Sequence, residues 1–335
     1  MKKLKLTMVI LFTLLLGVLS ACGESESTGE QSGNGKEVTI GYFPNLTHIA
    51  TIIGLENGYF EEEFGDDVTI QTKTVTNGGL FMEAMATEAI DVGTVGPGPL
   101  LNFYVQDQNY HLIAGAVNGG AVLVADDESG VSDLADLDGK KVAIPVIGST
   151  QDIMLRKALE EVNLAPTSSG GTVELVAQAP ADTTTLFAQN SVHAAATQEP
   201  WGYVLETQTD GELLLDWDEF AWGADSTNTV VAARKDFLED KELARAYLKA
   251  HQRAVQFVQE NSEESQEIVI QHLKDLTGQE LNADEVEAAF NKLEVTTDVN
   301  AEVIQEMADI SVEADYIPSN DIEGLIDLSI LEEIE

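Results

Sequence analysis

Basic residues are scarce in this chain and cysteine is scarcer. Lys and Arg number 17 against 59 Asp and Glu in 335 residues, for a formal net charge of −42. A polyanion of this kind repels nucleic acid, so DNA and RNA are excluded as natural partners. The single cysteine, Cys22, rules out any disulfide within the chain. Nucleotide and hydrolase signatures are missing too: there is no GxxxxGK[ST], no HExxH, no GxSxG elbow and no GxGxxG after a strand. The five histidines, His48, His111, His193, His251 and His272, are scattered without metal-ligand spacing. No catalytic pair stands out among so many carboxylates. Nothing in this inventory calls for an enzyme, a cofactor or a metal.

What is present begins with an N-terminal leader. Lys2, Lys3 and Lys5 precede an almost wholly apolar run from Leu6 to Leu19, and Leu19-Ser20-Ala21-Cys22 closes it. Basic, apolar and small residues in that order make a secretory signal over residues 1–21. The ending resembles a bacterial lipobox, which implies cleavage before Cys22, a diacylglycerol on its thiol and a lipid anchor on the extracytoplasmic face. An ordinary signal peptide with an incidental cysteine, or an uncleaved anchor, is the plainer alternative. Cleavage would remove three lysines and no acid, leaving about −45 on 314 residues. That length suffices for two lobes with real cores. The acidity suits a surface protein of a saline or alkaline habitat and helps keep it soluble. Residues 22–36, polar and rich in Gly and Ser, read as a flexible tether.

From Val38 the pattern alternates between β-branched runs and helical stretches, which predicts an α/β fold with mostly parallel sheets covered by helices. Strands are expected at 38–43, 68–75, 91–95 and 111–117. The pattern restarts with strands at 121–124, 140–145, 172–177, 194–197, 212–216 and 228–233. The intervening helices include 49–60, 80–89, 100–106 and 150–162. Two α/β units thus stand in series, the second inserted in the first. After Arg234 the chain reads as helix, near 263–275, 283–292 and 299–314. Leu243, Tyr247, Ala250, Ala254 and Phe257 share one helical face.

Ligands of open α/β sheets bind at the carboxyl ends of strands. Four such loops are rich in small or polar residues: Pro44 to His48, Gly96 to Pro99, Asn118 to Gly120 and Gly148 to Asp152. A fifth, Gln198 to Trp201, adds an aromatic. Between Tyr42 and Gly139 the only cation is Lys73, inside a strand. An anionic ligand would therefore rely on backbone N–H groups, hydroxyls and helix dipoles. Arg156 reads as solvated. Each loop alone also reads as a turn or a helix cap; the argument rests on all five falling at strand ends.

At these residues the chain resembles the solute-binding lipoproteins of ABC importers, in the nitrate, taurine and aliphatic-sulfonate group. The resemblance is carried by Gly41-Tyr42-Phe43-Pro44-Asn45, Gly54 to Phe60, Glu88 to Gly93, Val95 to Pro99, Asp136 to Val142, Gly148 to Asp152 and Glu199-Pro200-Trp201. It covers residues 38–333 and implies a two-lobed periplasmic-binding-protein-like fold with a two-strand hinge. Lobe 1 would comprise 37–121 and 229–335, and lobe 2 residues 122–228. The hinge would lie near Gly120-Ala121-Val122 and Asn228-Thr229-Val230. Carried over residue by residue, the cleft would use Asn45, Thr47, His48, Gly98 and Pro99, with Gly119 and Gly120 by the hinge. Ser149, Thr150 and Gln151 would meet the ligand's acidic head, with Glu199 and Trp201 from the far lobe. Glu199 or Asp152 could instead meet an ammonium.

The expected protein binds rather than catalyses. It captures a small sulfonate or related oxyanion, acts as a monomer, and delivers its ligand to an ABC permease and its ATPase while anchored to the membrane through Cys22. The same motifs occur in relatives that take nitrate, taurine, bicarbonate or a pyrimidine thiamine precursor, the last implying a stack on Tyr42, Phe43 or Trp201. A tethered sensor or adhesin is the reading without transport. The charge makes one prediction. Long-range repulsion of an anion is screened beyond the Debye length, about 10 Å at 0.1 M salt. Affinity for an anionic ligand should therefore rise from low to moderate salt, and a titration series that stays flat would contradict this.

Overall fold

The computed structural model describes residues 36–209, 211–278 and 281–334. The expected signal peptide, Cys22 and the tether up to residue 35 lie outside these. Lys36, placed in the tether by sequence, already begins the first strand. β1 (Lys36–Tyr42) buries Val38 and Ile40 completely and is flanked by β2 (Val68–Thr74) and β3 (Val92–Val95), both parallel to it. β4 (Tyr110–Gly119) follows the same sense, as the alternating pattern predicts.

Gly120 alone separates β4 from β5 (Ala121–Ala125), which belongs to a second sheet. That sheet adds β6 (Lys141–Ile144), β7 (Glu174–Ala177), β8 (Ala194–Gln198) and β9 (Glu212–Leu215) in the order β7-β6-β8-β5-β9. β10 (Thr227–Arg234) then returns to the first sheet and inserts between β3 and β4, antiparallel to both. Both sheets are thus mixed. In the second sheet β5 alone opposes the rest; in the first, β10 does so together with a short edge strand, β11 (Leu293–Val295), antiparallel to β4. The reversals follow from the crossings: a chain leaving one sheet at a strand's end enters the next from the opposite direction.

Helices cover both faces of each sheet, in the manner a buried mostly parallel sheet needs. Each fully buried Ile or Leu contributes roughly 1.5–3 kcal/mol. The expected helix 49–60 is two helices, Ile49–Glu56 and Tyr59–Phe64, because Gly58 sits in the left-handed region at φ 69°. β11 escaped sequence reading because three residues are too few to show a period; a helix was expected to run on to residue 292. In the long helix Lys241–Glu260, Tyr247, Ala250 and Ala254 are fully buried, whereas Leu243 and Phe257 pack at the margin. The helix Ala301–Glu313 packs against helices of both sheets, Pro97–Tyr104 and Thr150–Glu161. It forms a third bridge between the lobes that the sequence pattern did not suggest.

The first crossing depends on two residues in a conformation that side chains resist. Gly119 and Gly120 have φ of 70° and 72°, and a Cβ on Gly120 would stand 2.2 Å from Leu293 Cδ2. Gly120→Ala should lower stability by about 1–3 kcal/mol, read as a shift of the urea midpoint. An unchanged midpoint would mean the crossing tolerates a side chain.

Candidate functional site

β1, β2, β3, β6 and β8 all deliver their carboxyl ends to one small hollow between the sheets. From the first sheet it is lined by Phe43, Thr47, His48, the turn Thr76–Gly78, Gly96 and Pro99. Pro145, Ser149, Thr150, Gln151 and Gln198 face them from the second, and Asn228 and Thr229 of β10 form the floor between. The cavity measures about 30 Å³, by a scale on which one water occupies roughly 10–15 Å³. Two or three waters, or one small polar head group, fill it.

Four helices begin at its wall. Asn45 caps the turn Leu46–His48, which leads directly into the helix Ile49–Glu56; its Oδ1 accepts from Thr47 N at 2.9 Å and Thr47 Oγ1 at 2.8 Å. Asn77 caps the helix Gly78–Ala86 by accepting from Leu80 N. Ser149 caps Thr150–Glu161, its Oγ accepting from Asp152 N at 3.3 Å. The helix Pro97–Tyr104 differs: Pro97 and Pro99 have no N–H, and the remaining first-turn donor, Gly98 N, bonds Thr150 Oγ1 across the cleft at 3.3 Å. This helix offers the cavity its dipole but no backbone donor. A Cβ on Gly98 would lie 2.9 Å from both Gly148 O and Thr150 N, so glycine permits the approach.

No Lys, Arg, Asp or Glu lines the cavity. The nearby ionic groups are engaged elsewhere, within one helix or across between the lobes. Asp152, fully buried, accepts from Gly148 N and Tyr316 OH and pairs with Arg156 Nε at 3.0 Å. Arg156 is therefore not solvated as expected: it is 8% exposed and also donates to Ser168, Ser169 and Tyr316. Burial and the Asp152 charge push the Tyr316 hydroxyl well above its ordinary pKa, so it stays a donor. Glu199, also fully buried, lies 3.0 Å from Lys292 Nζ, which further reaches Glu206 and Asp216. Burial pushes Glu199 up, while the three carboxylates outweigh the burial of Lys292 and hold it charged. Glu306 of the bridging helix takes Lys157 and accepts from Trp222 Nε1 at 2.6 Å.

Of the residues expected in the cleft, Thr47, His48, Pro99, Ser149, Thr150 and Gln151 line the cavity. Asn45 holds Thr47 from behind, and Gly98 spans the cleft. Gly119 and Gly120 form the crossing turn, Glu199 faces Lys292, and Trp201 is half-buried at a helix start away from the lining. An ammonium partner has no free carboxylate here, since Asp152 and Glu199 are both taken. Gln198 and Asn228, placed by sequence in a strand-end loop and in the hinge, were not expected to line the cavity. Gln198 ends a buried β8 and lines the cavity, its buried amide oxygen without a protein partner among the described residues. Asn228 donates to Gly119 O at 2.9 Å and accepts from Gln151 Nε2 at 3.1 Å. Both lie in segments singled out by sequence, yet only the fold turns them inward.

Comparison with known proteins places this geometry. Residues 31–273, well over half of the chain, match the model of a family described as NMT1-like. A Brucella abortus protein whose name proposes a binding role, and specifies no ligand, is 26% identical over 252 residues, 71% of this chain and 72% of that one. The alkanesulfonate-binding protein of Xanthomonas axonopodis pv. citri, solved with MOPS bound, superposes with a TM-score of 0.74 at 19% identity, covering 87% of this chain and 98% of its own. The periplasmic nitrate-binding protein of Synechocystis superposes at 0.72 with 16% identity, covering 90% and 88%. At such identities the likeness shows the fold, which is that of the solute-binding proteins of ABC importers.

Two buried histidines give the site's fold a pH dependence. Burial pushes His48 down to about 3 and His251 down to about 4, although the Gly115 carbonyl pulls the latter back. Unfolded, each titrates near about 6.5. Below that pH the unfolded chain binds the extra protons, so stability falls as pH drops. From pH 7 to 5 each histidine should cost about 2 kcal/mol, and His251→Gln should flatten its share. Equal urea midpoints at pH 7 and 5 would refute it.

Proposed function

The chain belongs to the NMT1-like family, and on that premise we propose that it captures a small sulfonate or related oxyanion between its lobes and hands it to an ABC permease. One observation carries the ligand class: four helix N-termini converge on a cavity lined by no ionised side chain. Each helix start carries about half a positive charge, and the Ser149 and Thr150 hydroxyls and the Gln198 amide add donors. The net local field favours an anion whose oxygens only accept. A cation would find no carboxylate, which speaks against taurine. A flat heterocycle would find the Phe43 face already stacked on His48, with centroids 4.3 Å apart.

The size of the hollow favours a head group with the rest of the ligand outside. Leu80 and Ile147, 45% and 50% exposed, are uncommon among the large hydrophobics in staying at the surface. Each is within two residues of a cavity-lining residue, on opposite lobes. Exposed apolar residues this near in sequence to the lining suit the alkyl part of a sulfonate better than a bare nitrate. The lipid anchor on Cys22, the extracytoplasmic location and the monomeric state belong to the same proposal.

Calorimetry of the protein against ethanesulfonate, nitrate, bicarbonate, taurine and a pyrimidine tests the reading. Ethanesulfonate should bind, and at a hundredfold over Kd it should add about 2.7 kcal/mol of stability. Thr150→Val, which removes a donor and the Gly98 contact, should weaken it about tenfold. Binding of the pyrimidine alone would overturn the oxyanion class.

A further inference from the structure

His48 meets the cavity as a neutral ring, because burial holds its pKa at about 3. It carries a single ring proton, and the nitrogen that bears it decides whether a ligand finds a donor or an acceptor. His48 Nδ1 lies 2.7 Å from Thr94 Oγ1, which lies 3.0 Å from Thr51 Oγ1. Both threonines are fully buried. Behind them stands Tyr247, also fully buried, whose hydroxyl has Thr51 as a polar neighbour but makes no hydrogen bond of good geometry to it or to any other group among the described residues. His48 Nε2 has no protein partner and opens on the cavity that the ring lines.

Each threonine hydroxyl has one proton to place. Directed from the core outward, Thr51 donates to Thr94 and Thr94 to His48 Nδ1. Both hydroxyl protons are then bonded, and the ring proton sits on Nε2. Directed inward, Nδ1–H donates to Thr94 and Thr94 to Thr51. The Thr51 proton is then left with only the Tyr247 oxygen nearby, which makes no hydrogen bond of good geometry, and a buried orphan donor is costly.

We infer that the buried pair Thr51–Thr94 fixes His48 as its Nε2–H tautomer, so that Thr94 is the positioning residue that sets this cavity to receive hydrogen-bond acceptors. The inference deepens the oxyanion reading and rests on it for its consequence. An acceptor-only head such as a sulfonate is favoured over one that turns a hydroxyl or amino group toward His48.

Nitrogen-15 imidazole spectra of the whole protein read the tautomer without any ligand, with His48→Gln assigning the signal. The wild type and Thr94→Ser should show Nε2–H. Thr94→Val should shift His48 toward Nδ1–H, whereas Tyr247→Phe, which removes a hydroxyl that bonds nothing, should leave Nε2–H. With ethanesulfonate as the probe, Thr94→Val should lose about tenfold or more in affinity, whereas Thr94→Ser stays within about twofold of wild type. A wild-type Nδ1–H signal, or a tautomer indifferent to Thr94→Val, overturns the inference whatever binds. The expected spectra together with no binding of ethanesulfonate or nitrate would uphold the tautomer and sink the oxyanion reading.

Discussion

The amide of Asn228 holds the arrangement together. Its nitrogen donates to the Gly119 carbonyl at the first crossing, and its oxygen accepts from Gln151 at the start of a second-lobe helix. It lies on β10, the strand that makes the second crossing. One buried side chain thus ties both crossings to the cavity wall. Around it Gly119 N donates to Ser226 O and Glu199 N to Gly120 O, so the crossings and the end of β8 are bonded to each other. The cavity exists where it does because the two sheets are pinned at this point and their strand ends face across it.

Charge is distributed in two regimes. The surface carries a large acidic excess, while the cavity is lined by neutral groups. Between them three cations sit on carboxylates: Arg156 on Asp152, Lys157 on Glu306, and Lys292 on Glu199, Glu206 and Asp216. Breaking either buried pair, Asp152–Arg156 or Glu199–Lys292, leaves an uncompensated charge. Lys157–Glu306 and Glu199–Lys292 link the two sheets' surroundings, and all these ionised groups are held off the cavity, leaving the field there to helix ends and hydroxyls.

Much of this was legible in the chain. The alternation of β-branched and helical runs located ten of the strands, because a buried strand must be apolar along its length and a short loop must follow it. The Gly- and Ser-rich loops at strand ends pointed to the region of the cavity, since glycine permits close approach and hydroxyls cap helices. Gln198, Asn228 and Thr94 were not legible. Nothing local distinguishes an inward-facing amide or hydroxyl from a surface one; burial by distant elements does. Arg156 misled for the same reason, since Tyr316, 160 positions away, is what encloses it.

The sequence by itself determined the α/β class, the return of the chain to its first unit, the acidic surface and the scarcity of cations, because these depend on composition and short-range pattern. The tertiary structure alone decided the antiparallel insertion of β10, the bridge made by Ala301–Glu313, and the fate of each carboxylate near the cleft. These turn on contacts between residues tens to hundreds of positions apart, where packing selects one partner among many chemically equal ones.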